Sequence, residues 1–244
     1  MNSGYYAACA GLKTQTQALE FIANNLANIN TTGYRSQQVT FRSFFAAARA
    51  ASTNPLNRAV NDFNILGGTR LDLSAGNLQS TGNPFDVALE GDGFFAVQTN
   101  AGIMYTRNGN FQVSAKGQLI TAQGDAVLGD DGPITVPSGD IAISTDGTLS
   151  EAGAVVGKLR VIDFPSDTWL VPQGNSYYLG PDANARPAAR AYVRQSMLES
   201  SNVNPVLGMV SLISVQRHAD MMQRALSAYY NEFNRVATND LPRV

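Results

Sequence analysis

Apolar positions recur at heptad spacing near both ends of this chain and at a spacing of two between them. Toward the C-terminus, Leu212, Val215, Ala219, Met222, Leu226, Tyr229, Phe233 and Val236 are separated by alternating steps of three and four. On a helix this places them on a single apolar seam. Arg217, Asp220, Gln223, Arg224, Asn231 and Arg235 fall off the seam. A helix carrying it from about Gly208 to Val236 is about 40–45 Å long, more than one small domain covers. Tyr5, Ala8, Leu12, Gln15, Leu19, Ile22, Leu26 and Ile29 repeat the same steps near the N-terminus. Two such seams predict two terminal helices that pair.

The first helix is predicted over residues 1 to about 30, and its composition is weak. Asn24, Asn25, Asn28 and Asn30, with Thr14 and Thr16, are poor helix formers, so the segment is marginal in isolation and is expected to order on packing. Asn30-Thr31-Thr32-Gly33 stops it. Gly33 is predicted to take a left-handed backbone and to aim the Tyr34 ring onto a packing surface. A β-branched residue at 33 is expected to strain the chain, and asparagine to be milder.

Residues 37–80 carry no clear period and read as an extended linker. Val39, Phe41, Phe44 and Phe45 are anchors, the Ala-rich run 46–51 is compatible with helix, and Asn54-Pro55 and Gly67-Gly68 punctuate it. From about residue 81 the period is two. Phe85, Val87 and Leu89 alternate with Asp86, Ala88 and Glu90, a half-buried strand. Turn pairs such as Asp92-Gly93, Asn108-Gly109, Lys116-Gly117, Gly124-Asp125, Asp131-Gly132 and Asp146-Gly147 separate short runs at 94–98, 103–107, 118–122 and 126–129, with 157–164 as the strongest later strand. Turns this regular predict an antiparallel β domain over 81–195, closed or strongly curled. Residues 196–244 return to helix, with Asn202 or Asn204 as N-cap before Pro205.

Charge and composition narrow the chemistry. The 244 residues carry a net charge of −2 and 15% charged residues, so no basic footprint points to nucleic acid. One cysteine, Cys9, excludes an internal disulfide and a thiolate metal site. No apolar run is long enough for a membrane span, and no secretory signal is visible. The lone His218 has no second histidine for a triad or a zinc site. Asp130-Asp131 and Asp140 are explained by turn chemistry, Gly91-Asp92-Gly93 lacks the rest of a nucleotide fingerprint, and Ser200-Ser201 has no base. No active site assembles, and no cofactor or metal is expected.

Three blocks carry a resemblance. Ile22-Ala23-Asn24-Asn25-Leu26-Ala27-Asn28-Ile29-Asn30-Thr31-Thr32-Gly33-Tyr34 resembles the N-terminal signature of bacterial flagellar rod and hook proteins. Residues 83–95 with Tyr105-Thr106-Arg107-Asn108-Gly109 resemble the family's central β domain, and Leu198-Glu199-Ser200-Ser201-Asn202-Val203-Asn204-Pro205-Val206 resembles the entry to its C-terminal helix. Length and the Asn-Val-Asn-Pro block are most like the proximal rod type, with the distal type second. The resemblance implies a non-enzymatic subunit that polymerises through its terminal helices to transmit torque. It also implies export without a cleaved signal through the flagellar type III apparatus, and assembly with copies of itself and other rod proteins in the periplasmic rod. The expected architecture is α+β: N- and C-terminal heptad helices pairing into a coiled coil, with a central antiparallel β domain, curled or barrel-like. Expected assembly residues are Leu12, Leu19, Ile22, Asn24, Asn25, Leu26, Asn28, Gly33, Tyr34, Leu212, Val215, Met222, Leu226, Tyr229 and Phe233. The rival readings are a rod-associated periplasmic enzyme and a coiled-coil chaperone or capping module.

Overall fold

The computed structural model describes residues 2–44, 63–137, 139–165 and 168–239. The Ala-rich run 46–51 and the last five residues lie outside them. The chain divides into two compact units: residues 1–27, 37–70 and 204–244 form one, and residues 28–36 and 71–203 form the other.

The first unit holds helix α1 (Asn2–Ala27), strands β1 (Gln37–Phe44) and β2 (Phe63–Leu71), and helix α2 (Pro205–Asn239). β1 and β2 pair as a two-stranded sheet, so much of the segment expected as an extended linker is strand. The period was hidden because β2 carries Gly67-Gly68 in its interior, which read as a break. α2 starts where the Asn204 side chain accepts the Leu207 N–H at 3.1 Å, with Pro205 in the first turn. This cap settles the choice between Asn202 and Asn204.

The two helices pack side by side in opposite directions. A Cβ on Gly11 would lie 3.3 Å from the Met222 Cε, and one on Gly208 would lie 3.7 Å from Leu26. On α2 the seam holds over its described side chains: Leu212, Val215, Met222 and Leu226 are half-buried and Ala219 is buried. Among the described side chains of α1 the deepest are Thr14 and Ala18, while Leu12, Leu19, Ile22 and Leu26 are half-buried. The line of closest approach is therefore rotated by about one position from the heptad stripe. Small side chains at 11, 14 and 18 let the backbones approach, and the larger leucines flank the contact.

The second unit is built from short antiparallel strands: β3 (Leu78–Ser80), β4 (Val87–Glu90), β5 (Phe94–Thr99), β6 (Gly102–Thr106), β7 (Phe111–Val113), β8 (Leu119–Thr121), β9 (Ala126–Gly129), β10 (Gly132–Pro133), β11 (Ile141–Ile143), β12 (Thr148–Glu151), β13 (Ala154–Lys158), β14 (Val161–Asp163), β15 (Val171–Gly174), β16 (Tyr177–Leu179), β17 (Arg186–Pro187), β18 (Tyr192–Gln195) and β19 (Met197–Glu199). The main sheet runs β15-β16-β6-β5-β9-β8-β7 and curls, with β14 beside the start of β5. β11-β12-β13, β18-β4 and β19-β3 complete the unit.

β5 explains the packing. Phe95 and Val97 enter one apolar cluster with Val87, Leu89, Phe111, Leu119, Val127 and Leu149. Phe94 and Ala96, on the opposite face, enter a second with Tyr105, Ile162, Phe164 and Tyr178. Phe95 meets Phe111 edge-on at 5.2 Å between centroids, and Tyr105 meets Phe164 at 4.8 Å.

Three sequence expectations change in this unit. β4 is covered on both faces, since Val87, Ala88 and Leu89 are all buried; alanine is small enough to be enclosed, and Asp86 accepts hydrogen bonds from the Asn83 and Asn110 side-chain amides. The expected strand 157–164 is two strands, because β13 pairs with β12 whereas β14 pairs with β5. Residues 197–199, expected to lead into the C-terminal helix, form β19 against β3.

Candidate functional site

The turn after α1 and the approach to α2 run beside each other within the β unit. Thr31 N–H bonds back to the Asn28 carbonyl, and Gly33 N–H then donates to the Glu199 carbonyl at 2.8 Å. Arg35 N–H donates to the Tyr178 hydroxyl at 3.0 Å, and Ser36 N–H to Asn202 Oδ1 at 2.7 Å. Asn202 N–H returns a bond to the Tyr34 carbonyl, and its side-chain amide donates to the carbonyls of Asp72 and Ser74 at 2.9 and 3.0 Å. Tyr34 is buried, and burial raises its pKa.

Gly33 is required here twice over. Its φ of +66° is the left-handed backbone that glycine takes without a Cβ penalty. A Cβ at this position would also sit inside the Arg107–Asn108 peptide, so asparagine is milder than valine only in its backbone cost. The contact adds a steric cost common to every side chain at this position, which no local pattern reveals.

Beneath the two segments lies a buried charge cluster. Arg35 Nη2 is 2.8 Å from Glu199 Oε1, and Arg107 Nη1 is 3.3 Å from Glu199 Oε2. Arg35 and Glu199 are fully buried and Arg107 is 3% exposed. Gly76 N–H donates to Glu199 Oε1 at 2.7 Å, and the Arg107 guanidinium donates to the carbonyls of Leu89 and Gly91 and lies over the Phe94 ring at 5.4 Å. Burial first, and the Arg35 charge second, lower the Arg107 pKa to about 10 against the pull of Glu199, so it stays cationic at neutral pH. Burial pushes the Tyr178 phenol up to about 12.

Of the expected assembly residues, Gly33 and Tyr34 belong to this site, and Asn28 shapes the turn before it. Asn25 acts within the helical unit: its side chain accepts from Gln37 N–H and donates to the Gln37 carbonyl, both at 2.9 Å, tying α1 to β1. Asn24 is exposed. Leu12, Leu19, Ile22 and Leu26 flank the helix contact, and Leu212, Val215, Met222 and Leu226 form it on α2. The side chains of Tyr229 and Phe233 lie outside those described. Arg35, Arg107, Tyr178 and Glu199 were not singled out from the sequence, and Asn202 was singled out only as a helix N-cap. Arg107, Glu199 and Asn202 sit inside the resembling blocks, but nothing local says that they meet.

A second surface faces away from the helix pair. Val206, Val210 and Ile213 are spaced four and three along α2 and are 67%, 61% and 51% exposed. Leu207 and Met209 beside them are exposed as well.

Residues 6–35 match a family described as flagella basal body rod protein, residues 88–151 the flagellar hook protein FlgE/F/G D1 domain, and residues 194–231 the flagellar basal body rod FlgEFG protein C-terminal family. The chain is 34% identical to the flagellar basal-body rod protein FlgF of Mesorhizobium japonicum and 33% identical to that of Caulobacter vibrioides, with 89% of each chain covered in both cases. It is 31% identical to the flagellar basal-body rod protein FlgG of Agrobacterium fabrum, over 90% of this chain and 92% of that one. The matched regions contain Arg35, Arg107 and Glu199, which the fold brings together. This chain belongs to the flagellar basal-body rod protein family.

Proposed function

We propose that the protein is a structural subunit of the flagellar rod, of the proximal type, and that it polymerises through its two terminal helices. The observation that carries this reading is similarity to relatives named FlgF along about nine-tenths of both chains. The helices form a coiled-coil inner layer with those of neighbouring subunits, and the β unit lies outside it. Residues 37–80 bridge subunits between the layers. Contacts of one copy with the next that do not close on themselves generate a helical rod, and many interlocked copies transmit torque. The chain reaches the rod through the flagellar type III apparatus and acts without a cofactor. The FlgG relative at 31% identity keeps the distal type as the second reading.

Val210→Glu tests the assembly surface. Val210 is 61% exposed, so the free variant should melt within about 0.5 kcal/mol of wild type. In a strain lacking the native copy it should fail to build rods, seen as absent or truncated rods in purified basal bodies. Normal rods would remove this face from the assembly contact. Labelling the wild-type chain in the same basal bodies separates proximal from distal position.

A further inference from the structure

The Arg35–Glu199–Arg107 cluster places two cations against one anion in the interior of the β unit. Arg35 Nε and Nη1 and Arg107 Nε are buried and have no hydrogen-bond partner among the described residues. Such a cluster is a poor device for stability. Desolvating the charged groups is costly, and well-packed apolar side chains of similar volume often serve as well or better.

The cluster does supply direction. The two oxygens of Glu199 engage different cations, at 2.8 and 3.3 Å. One cation stands on the chain leaving the α1 turn, and the other follows β6 and is clamped by the Leu89 and Gly91 carbonyls. A one-residue slip of 33–36 along 199–202 would withdraw the Arg35 guanidinium from the carboxylate and leave both charges buried without compensation. Three apolar side chains in the same space would tolerate that slip.

We propose that the Arg35–Glu199–Arg107 cluster is a conformational latch that selects one alignment of residues 33–36 against 199–202, at the expense of stability. The chain has two places where a helix-bearing segment joins the β unit, and the latch holds the pair in one register. Its use in assembly rests on the rod reading above. The latch itself is a property of the free chain and is tested there.

Four amides report the closed register: Gly33, Arg35, Ser36 and Asn202, each donating across the two segments or to Tyr178. The amide of Ala96, which donates to the Arg160 carbonyl, reports the core. Hydrogen exchange is followed by NMR on the full-length wild type, on R35M/R107M/E199L and on Arg35→Lys. The triple variant should melt at or above the wild-type midpoint and keep wild-type exchange at Ala96. Its amides at 33, 35, 36 and 202 should exchange at least about tenfold faster. Arg35→Lys keeps the charge but loses the planar fork, and its amides at 33, 36 and 202 should exchange faster in the same sense.

Wild-type protection at these amides in either variant overturns the latch, because the register would then be set without the cluster. A triple variant that melts well below wild type or does not fold overturns the claim that the cluster acts at the expense of stability. Arg35→Lys still tests the register in that case. If the amides respond as expected but the wild-type chain is absent from labelled basal bodies, the rod reading fails and the latch stands.

Discussion

Replacing Gly33 is the most direct test of how the β unit accepts the chain from α1. The substitutions are Gly33→Ala, Gly33→Asn and Gly33→Val. Two costs add. The backbone stands at φ +66°, where an L-residue with a Cβ loses about 1–2 kcal/mol and asparagine loses less. Each Cβ must also displace the Arg107–Asn108 peptide, and forcing extra atoms into a packed site costs about 1–3 kcal/mol. The sum is about 2–5 kcal/mol for alanine, rising for valine, and asparagine recovers only part of the backbone share. At roughly 4 °C per kcal/mol for a unit of this size, the midpoint should fall by about 8–20 °C. Trp169, the single tryptophan, lies in the β unit, so its fluorescence follows that unit during a thermal melt of the full-length chain. Because Gly33 N–H also donates to the Glu199 carbonyl, exchange at Gly33 should rise with the loss of stability. A Gly33→Asn variant melting within 1–2 °C of wild type, on the order of the residual backbone cost alone, would refute the steric argument.

Leu226→Asp places a carboxylate where α2 meets α1. It should cost on the order of a few kcal/mol in helix pairing through desolvation and lost apolar contact. Motility should be lost while the Trp169 melt is unchanged; motile cells or a shifted melt would count against independent units. Tyr178→Phe tests the buried phenol through alkaline stability. The folded phenol is raised to about 12, chiefly by burial, above an ordinary value of about 10. Its neutral form therefore stabilises the fold fully below pH 10, and this is lost as pH rises through about 12, on the order of 3 kcal/mol. Arg107, lowered to about 10, titrates over the same range in the opposite sense, so the quantity to measure is the difference between wild type and variant. That difference should shrink from pH 10 to 12 in urea melts, and a constant difference would refute the assignment.

The helical ends were legible because a seam repeating every seven residues is a property of sequence alone. Leu212, Val215, Ala219, Met222 and Leu226 could be placed on one face of α2 without knowing what covered them. The Gly33 stop was legible for the same kind of reason, since a left-handed exit is a local demand on one backbone. Turn pairs located most β segments, although they could not show that 154–158 and 161–163 belong to different sheets, because pairing is a choice between distant strands.

What tertiary structure decided is of that non-local kind. The rotation of the α1 contact onto Gly11, Thr14 and Ala18 depends on how closely the partner helix can approach. Arg35, Arg107 and Glu199 are separated in sequence by 72 and 92 positions, and nothing local says that they meet. Their burial, and the clash that forbids any Cβ at Gly33, exist only because the curled sheet carries the turn after β6 beneath the chain leaving α1. Local pattern fixes what a segment can form, whereas long-range closure fixes which segments touch and which charges lose their water.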